Sequence, residues 1–203
     1  MIQITNNNVY GLETSMATSG YPMSTDLPKQ GLAFNQNDIT RAGVLAGTAI
    51  GEGHDNFLNG IIVQFDLTAP IKVWTEAQRY HFLEFVSSQS TMHRLFKMNL
   101  NSDKAFDEHV TNQTRLHLNQ LQEEYNRLVE EQADKSEIEE AYLKLLMNCP
   151  VGLNLTARMT TNYRQLKTIY HQRKNHRLPH WHDICKWIES LPFHNLITGS
   201  SNE

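Results

Sequence analysis

The segment from Thr161 to Arg173 constrains the fold of this chain more than any other stretch. Its apolar residues recur at helical spacing and predict a helix with a packing stripe. The residues of that stripe are Leu166, Ile169 and Tyr170. Asn162 and Arg173 are eleven residues apart, about three helical turns, so both side chains are expected on one face. Arg164 comes nine residues before Arg173 and falls on roughly the opposite face.

The charge pattern around this helix is strongly asymmetric. No acidic residue occurs in residues 141–182, and the cations of this stretch are Lys144, Arg158, Arg164, Lys167, Arg173, Lys174 and Arg177. A helix with cations on two faces and no carboxylates to pair with them is suited to bind anions, phosphates above all. The preceding residues 103–140 hold eleven acids against four bases. An ordinary solvated acidic helix followed by a basic one is therefore the alternative.

The composition indicates a soluble globular protein in a reducing compartment. The 203 residues suffice for one domain with a full core, and 39% apolar and 20% charged residues are ordinary values. No apolar run approaches the length of roughly eighteen residues that a spanning helix needs. The first ten residues lack the pattern of a signal peptide. Cys149 and Cys185 have no metal-type spacing and are expected as free thiols, so we expect a cytoplasmic protein.

Turn-forming and apolar residues divide the chain into a loop-rich entry and a helical domain. Residues 1–36 are rich in Ser, Thr, Asn, Gly and Pro and are expected as loops, with a single domain over 37–203. The β-branched and aromatic run 61–67, which ends before Pro70, predicts a strand. Apolar periodicity predicts helices from about residue 37 to Gly51, from Glu76 to Val86, from Val110 to Ala133, from Ser136 to Met147, and from Pro179 onward. Few strands and dominant long helices indicate a mixed α/β (α+β) fold with a small sheet.

The polar helix also carries a family resemblance. Asn162, Arg164 and Leu166 form an N-x-R-x-L pattern, Arg173 follows, and a W-x-x-I helix comes after them. This order is similar to the C-terminal half of the flavin-dependent thymidylate synthases, the ThyX family, and the resemblance covers roughly residues 38–192. It implies a ThyX-like fold in which Asn162 and Arg164 contact FAD and Arg173 contacts the uracil of dUMP.

Residues 78–94 resemble a second signature of the same family, an R-H-R triplet followed by a serine-containing segment. With Gln89 and Ser90 set against the family's Q-S pair, the triplet falls on residues 80–82 and keeps only its central histidine, His81. The resemblance implies that His81 contacts the flavin and that Ser90 contacts the phosphate of the nucleotide.

This second segment is also suited to bind an anion on physical grounds. Hydroxyl and backbone N–H groups in a tight turn bind phosphate, and Arg79 or Arg94 supplies a neutralising charge. Together with the resemblance, this chemistry places Arg79, Gln89, Ser90, Arg94 and Arg173 at the nucleotide, and the resemblance implies catalytic roles for Arg173 and Ser90. The alternative is that the serines only cap a helix and a turn.

Histidines supply further candidates for the flavin. His54 matches a position at which the family has a histidine before its first long strand, and it either contacts flavin or caps a turn. His176, just after the polar helix, is placed with the flavin as well. His176, His180 and His182 are close in sequence, but Pro179 interrupts them and no second cluster completes a tetrahedral set. No metal site is predicted.

The resemblance implies an enzyme of nucleotide biosynthesis. In the family, reduced flavin and methylene-tetrahydrofolate convert dUMP to dTMP, NADPH reduces the flavin, and the enzyme is a homotetramer with shared sites. On this interpretation the protein supplies position and charge to cofactor chemistry, as a flavin-dependent methyltransferase. Two triplet arginines are replaced and Leu146 stands at another family arginine, so a homologue that binds or modifies another nucleotide without flavin is the alternative. A nucleic-acid-binding protein that uses the acid-free stretch is the third, although the net charge of −4 opposes it.

Overall fold

The computed structural model describes residues 2–25 and 33–199. Predictions that fall on residues 26–32, within the expected loop, and on 200–203 lie outside the described residues. The strands are β1 (Gln3–Tyr10), β2 (Ile62–Pro70), β3 (Glu84–Ser88) and β4 (Asn154–Asn162). The helices are α1 (Leu12–Thr18), α2 (Gln36–Ala46), α3 (Ile71–Ala77), α4 (Thr91–Arg94), α5 (Asn112–Glu130), α6 (Lys135–Met147), α7 (Tyr163–Arg173), α8 (His180–Glu189) and α9 (Asn195–Thr198).

The strands form one four-stranded sheet in the order β1-β2-β4-β3. β2 alternates as a half-buried strand should, and its inward residues are Val63, Phe65, Leu67 and Ala69. β4, its neighbour, shows the same alternation over its second half. A small sheet with longer helices confirms the predicted mixed α+β fold class.

The chain divides into two compact units, which are described separately. The first unit comprises Met1–Gln3, Leu67–Arg79 and Ser87–Ala157. The second unit comprises Ile4–Asp66, Tyr80–Val86 and Arg158–Glu203. The predicted organisation, a segment 1–36 followed by a single domain 37–203, stays a prediction.

The core of the first unit forms around the pair α5 and α6. Both helices begin at a capping side chain, since Thr111 accepts from the amide of Thr114 and Asp134 accepts from that of Ser136. The buried cluster that they cover comprises Leu95, Leu100, Phe106, Leu118, Leu145 and Leu153. The two predicted long helices are confirmed, with bounds that differ from the prediction by at most three residues.

The core of the second unit forms where α7 packs against α8 and α9. α7 buries the apolar stripe that its sequence predicts, through Leu166 and Ile169, and adds Tyr163 at its first turn. α8 begins just after Pro179 and contributes Trp181, which is fully buried. α7 is therefore anchored in the core of this unit by its apolar stripe.

Two predictions about local structure are wrong. The described part of residues 1–36 contains β1 and α1, although it was expected to be loops. The predicted helix Glu76–Val86 is instead the end of α3, a turn, and strand β3. Phe82 has a positive φ of 60°, which a right-handed helix does not accommodate, so the helix ends before it. Phe85 and Val86, which follow it, lie in β3. Short apolar runs of this kind fit either period, and β-branched and aromatic residues favour the strand.

The described helices are not suited to cross a bilayer. None of those within residues 2–25 and 33–199 combines the length and the apolar character that a membrane crossing requires.

Candidate functional site

The start of α7 fixes the first candidate residue. Asn162 ends β4 with extended backbone, and its side chain accepts a hydrogen bond from the amide of Gln165 at 2.8 Å. Tyr163 donates its amide to the carbonyl of Ile61, which anchors the same turn. Asn162 is therefore the N-cap of the helix and is buried. The expectation that Asn162 and Arg173 share a helical face fails, because Asn162 precedes the helix.

A cavity in the second unit brings two predicted flavin residues together. Its volume is about 250 Å³, and both Asn162 and Arg164 line it. The other lining residues are Ile50, Gly51, Asn59, Phe82, Gln165 and Thr168. Phe82 is a largely exposed aromatic side chain, 64% accessible, on the turn before β3. The cavity thus combines an amide, a guanidinium and an aromatic ring, groups that suit a planar polar ligand.

A buried carboxylate lies behind this cavity. Asp55 accepts from the amine of Lys167 at 2.9 Å, and its second oxygen lies 3.3 Å from Nε of Arg164. That second oxygen, Oδ1, is buried and has no well-directed hydrogen bond among the described residues. Asp55 and Lys167 are both buried, whereas the side chain of Arg164 is 36% exposed. Arg164 is therefore drawn toward Asp55 at its inner end and reaches the cavity at its outer end.

The absence of carboxylates around the basic helix is a property of the sequence and not of the fold. Asp55 pairs with both Arg164 and Lys167, and Asp66 pairs with Arg158 at 3.2 Å. The prediction of uncompensated cations is wrong for these three, because their partners come from distant parts of the chain. This pairing also weakens the case for a nucleic-acid surface, which requires unneutralised charge.

Arg173 lies at the C-terminal end of α7 among aromatic rings. Its Nε donates to the hydroxyl of Tyr80 at 2.6 Å, and its guanidinium lies 4.4 Å from the ring centroid of Trp181. Neither partner was predicted. In the sequence, Tyr80 stands out only as a departure from the triplet and Trp181 only as part of the W-x-x-I pattern, and neither indicates this contact.

The predicted histidines of the second unit have different settings. His54 and His81 are exposed. His176 is half-buried, accepts from the amide of Leu178 at 3.1 Å, and meets the Trp181 ring at a centroid distance of 6.4 Å. None of the three is among the residues that line the cavity at Asn162. Their contact with flavin stays a prediction.

The predicted phosphate residues all belong to the first unit. Gln89 pairs with Thr156, donating its amide at 3.0 Å and accepting at Oε1 from the amide of Thr156 at 2.8 Å. Ser90 accepts from the amide of His93 at 3.3 Å as the N-cap of α4, which is the capping role that the sequence left as the alternative. Arg79 and Arg94 are exposed. Binding of phosphate by this group stays a prediction.

The fold of this chain is similar to that of solved structures. No protein-family model and no curated protein matches the chain. One solved structure of the flavin-dependent thymidylate synthase ThyX from Helicobacter pylori, complexed with FAD and dUMP, matches with a TM-score of 0.67, 15% identity, and 97% coverage of both chains. A second structure of Helicobacter pylori ThyX with FAD and dUMP matches with a TM-score of 0.62 at 15% identity, covering 98% of this chain and 96% of the other.

The chain has a ThyX-like fold. At this level of identity the similarity establishes the fold alone, and it extends over nearly the whole of both chains. The fold that the N-x-R-x-L pattern implied is therefore confirmed.

A second cavity, in the first unit, was not predicted. Its volume is about 520 Å³, and it contains none of the predicted site residues. Charged side chains of both signs line it, namely Asp103, Lys104, Glu108 and Arg115. The first three are exposed, so we regard the lining as solvated and retain the smaller cavity at Asn162 as the candidate site. In the described part of the chain, no three His, Cys, Asp or Glu side chains lie close enough together to hold a metal ion.

Proposed function

We propose that this protein binds FAD and a pyrimidine deoxynucleotide such as dUMP, and transfers a one-carbon unit to the base. The observation that carries the proposal is the cavity at the start of α7, where Asn162 and Arg164 lie together. They are two of the residues that the resemblance assigns to flavin. The solved structures with this fold that contain FAD and dUMP give the proposal its second support.

The donors at the cavity suit a flavin ring. Asn162 uses its carbonyl oxygen to cap α7, so its NH₂ group remains to donate to a ligand carbonyl. Arg164 adds a permanent charge that hydrogen-bonds ring carbonyls or phosphate. The volume of about 250 Å³ corresponds to one ring system and lies below the range of roughly 300–1,000 Å³ typical of ligand pockets. The remainder of FAD would lie outside this cavity, and a homotetramer with shared sites accounts for how it is held.

The remaining roles follow the resemblance. Arg173 polarises the pyrimidine base, and Ser90 and Arg94, with Arg79 and Gln89, hold the phosphate. His54, His81 and His176 contact the flavin. Bound reduced flavin and methylene-tetrahydrofolate supply the electrons and the carbon, with NADPH as reductant. The side chains orient the reactants and stabilise charge.

The first test is the visible absorption spectrum of the purified protein after incubation with FAD and desalting. We expect a retained flavin spectrum in the natural protein and its loss in Arg164→Ala, because the cavity then lacks its cation. Arg127→Ala is the matched control, since Arg127 is an exposed arginine of α5 that pairs with Glu131. A protein that stays colourless after incubation with FAD would remove the flavin-dependent reaction from consideration.

A second candidate function is nucleotide binding without flavin. The volume of the cavity favours it, because about 250 Å³ fits a nucleoside better than a dinucleotide. Calorimetric titration of the flavin-free protein with dUMP discriminates between the two. Tight binding of dUMP by a protein that never takes up FAD would favour a nucleotide-binding homologue of the synthases.

A further inference from the structure

Within the second unit, the guanidinium of Arg173 is held by a hydrogen bond and by contacts with two aromatic rings. The hydroxyl of Tyr80 accepts from Nε at 2.6 Å. The guanidinium carbon lies 4.4 Å from the ring centroid of Trp181 and 5.4 Å from that of Tyr80. Trp181 is fully buried, and its ring meets the ring of Tyr80 edge-on at 5.8 Å. The support beneath Arg173 is therefore rigid.

Tyr80 is itself fixed by a second hydrogen bond. Its hydroxyl accepts from Arg173 and lies 3.1 Å from Oε1 of Gln172, to which it donates. Gln172 and Arg173 are the last two residues of α7. One tyrosine hydroxyl thus orients two neighbouring side chains at the end of that helix. It accepts from Arg173 and donates to Gln172, so the two hydrogen bonds run in one direction.

We infer that Tyr80 is a positioning residue that determines how Arg173 is presented to the pyrimidine base. The inference rests on the proposed function, in which Arg173 contacts the base. An arginine side chain has several rotatable bonds, and ordering them on ligand binding costs entropy. Tyr80 and Trp181 impose that order before the ligand arrives, so the guanidinium is preorganised. Tyr80 acts through Arg173 and contributes to recognition of the base alone.

The test compares two ligands that differ by the base. In Tyr80→Phe we expect dUMP to bind about tenfold more weakly, because the hydrogen bond to the charged group is lost. Binding of 2-deoxyribose 5-phosphate, which has no base, is expected to be unchanged. Tyr170→Phe is the matched control, because Tyr170 lies on α7 but hydrogen-bonds Glu189. In the double variant Tyr80→Phe/Arg173→Ala, the loss of affinity for dUMP should not exceed that in Arg173→Ala alone, since the two changes remove the same interaction.

A readout without ligand separates this inference from the proposed function. In ¹⁵N-arginine-labelled protein, the Nε–H resonance of Arg173, assigned by its absence in Arg173→Lys, should shift in Tyr80→Phe and stay in place in Tyr170→Phe. A natural protein that binds no dUMP would overturn the proposed function, and with it the role in base recognition, even if the resonance shifts. An unshifted resonance, an equal loss of affinity for both ligands, or no loss for either would overturn the role of Tyr80.

Discussion

Lys167 is a buried cation whose three ammonium protons all have acceptors. It donates to the carbonyls of Ala46 and Thr48 at 2.8 and 2.9 Å, and to Asp55 at 2.9 Å. A buried ion pair contributes little net stability, but removal of one partner leaves an uncompensated charge in the interior. Lys167 is therefore a structural residue, although its sequence setting suggested an anion site.

Replacement of Lys167 by methionine should destabilise the protein by about 3–5 kcal/mol, because Asp55 loses its main partner. The measurement is the free energy of unfolding in urea. Lys135→Met is the control, since Lys135 is exposed and pairs loosely with Glu139 at 3.6 Å, and its loss should cost less than about 0.5 kcal/mol. If both variants lost the same small amount, the buried pair would not be required for stability.

The thiols of Cys149 and Cys185 should be unreactive in the folded protein. Burial raises the pKa of each to about 11, and the thiolate is the reactive form. A coloured disulfide reagent at pH 8 should react much more slowly with native protein than with protein in urea. Equal rates would show that the thiols are accessible and ionised as in the unfolded chain.

The same pKa shift has a consequence for stability. The pKa of each thiol is higher in the folded state than the ordinary value of 9.0. Unfolded protein therefore loses these protons first as pH rises, so the contribution of the thiols to stability is complete below about pH 9 and is lost toward pH 11. Cys185→Ala should reduce the fall in unfolding free energy over this window, and an unaltered slope would contradict the shift for that thiol.

At the scale of elements, α7 combines a capping role and a ligand role in one residue. Asn162 caps the helix through its carbonyl oxygen, and the proposed function uses its NH₂ group. The two roles are separable because aspartate also caps helices but has no NH₂ group. The helix N-terminus favours the added negative charge.

We expect Asn162→Ala to cost about 1 kcal/mol of stability and Asn162→Asp to cost less than about 0.5 kcal/mol. Both variants should lose flavin, because neither retains the amide donor. Urea unfolding and flavin absorbance after desalting measure the two effects. If Asn162→Asp retained flavin, the amide would not be the donor, and Asn162 would serve only as a cap.

Elements differ in how far the sequence predicts them. α5 and α6 were predicted closely because long stretches of periodic apolar residues leave few alternatives. β1 was missed because nearly all of its residues are exposed, so no alternation of apolar and polar residues marks it. β3 was read as a helix because its apolar run is too short to define a period.

The residues of the candidate site also differ in how far the sequence predicts them. Asn162 and Arg164 were found because their spacing lies within one short segment. Asp55 and Lys167 are 112 residues apart, and Tyr80 and Arg173 are 93 apart. Such contacts depend on the folded arrangement, and neither spacing nor composition indicates them.

At the scale of the whole molecule, the chain shares a fold with proteins to which it has little sequence similarity. Identity with the Helicobacter pylori ThyX structures is 15%, yet the match covers 97% of both chains in one of them. The apolar positions of the helices and strands define this fold, and they tolerate many combinations of side chains. The polar residues of the site are less interchangeable, because each makes a directed contact.

The proposed assembly gives a prediction at this scale. Because the cavity of one chain is smaller than FAD, neighbouring chains should complete the site, and the particle should have about four times the chain mass of 23.4 kDa. Light scattering coupled to gel filtration measures this mass. A monomer that still retains FAD would contradict the shared site.

The amine of Lys167 also has a consequence for how this chain can evolve. It joins the end of α2, the turn before β2 and the middle of α7 through one atom. A relative that replaces the lysine with an apolar residue should also replace Asp55, because either change alone leaves a buried charge without its main partner. Positions 55 and 167 are therefore expected to covary as a pair, while the sequence between them drifts.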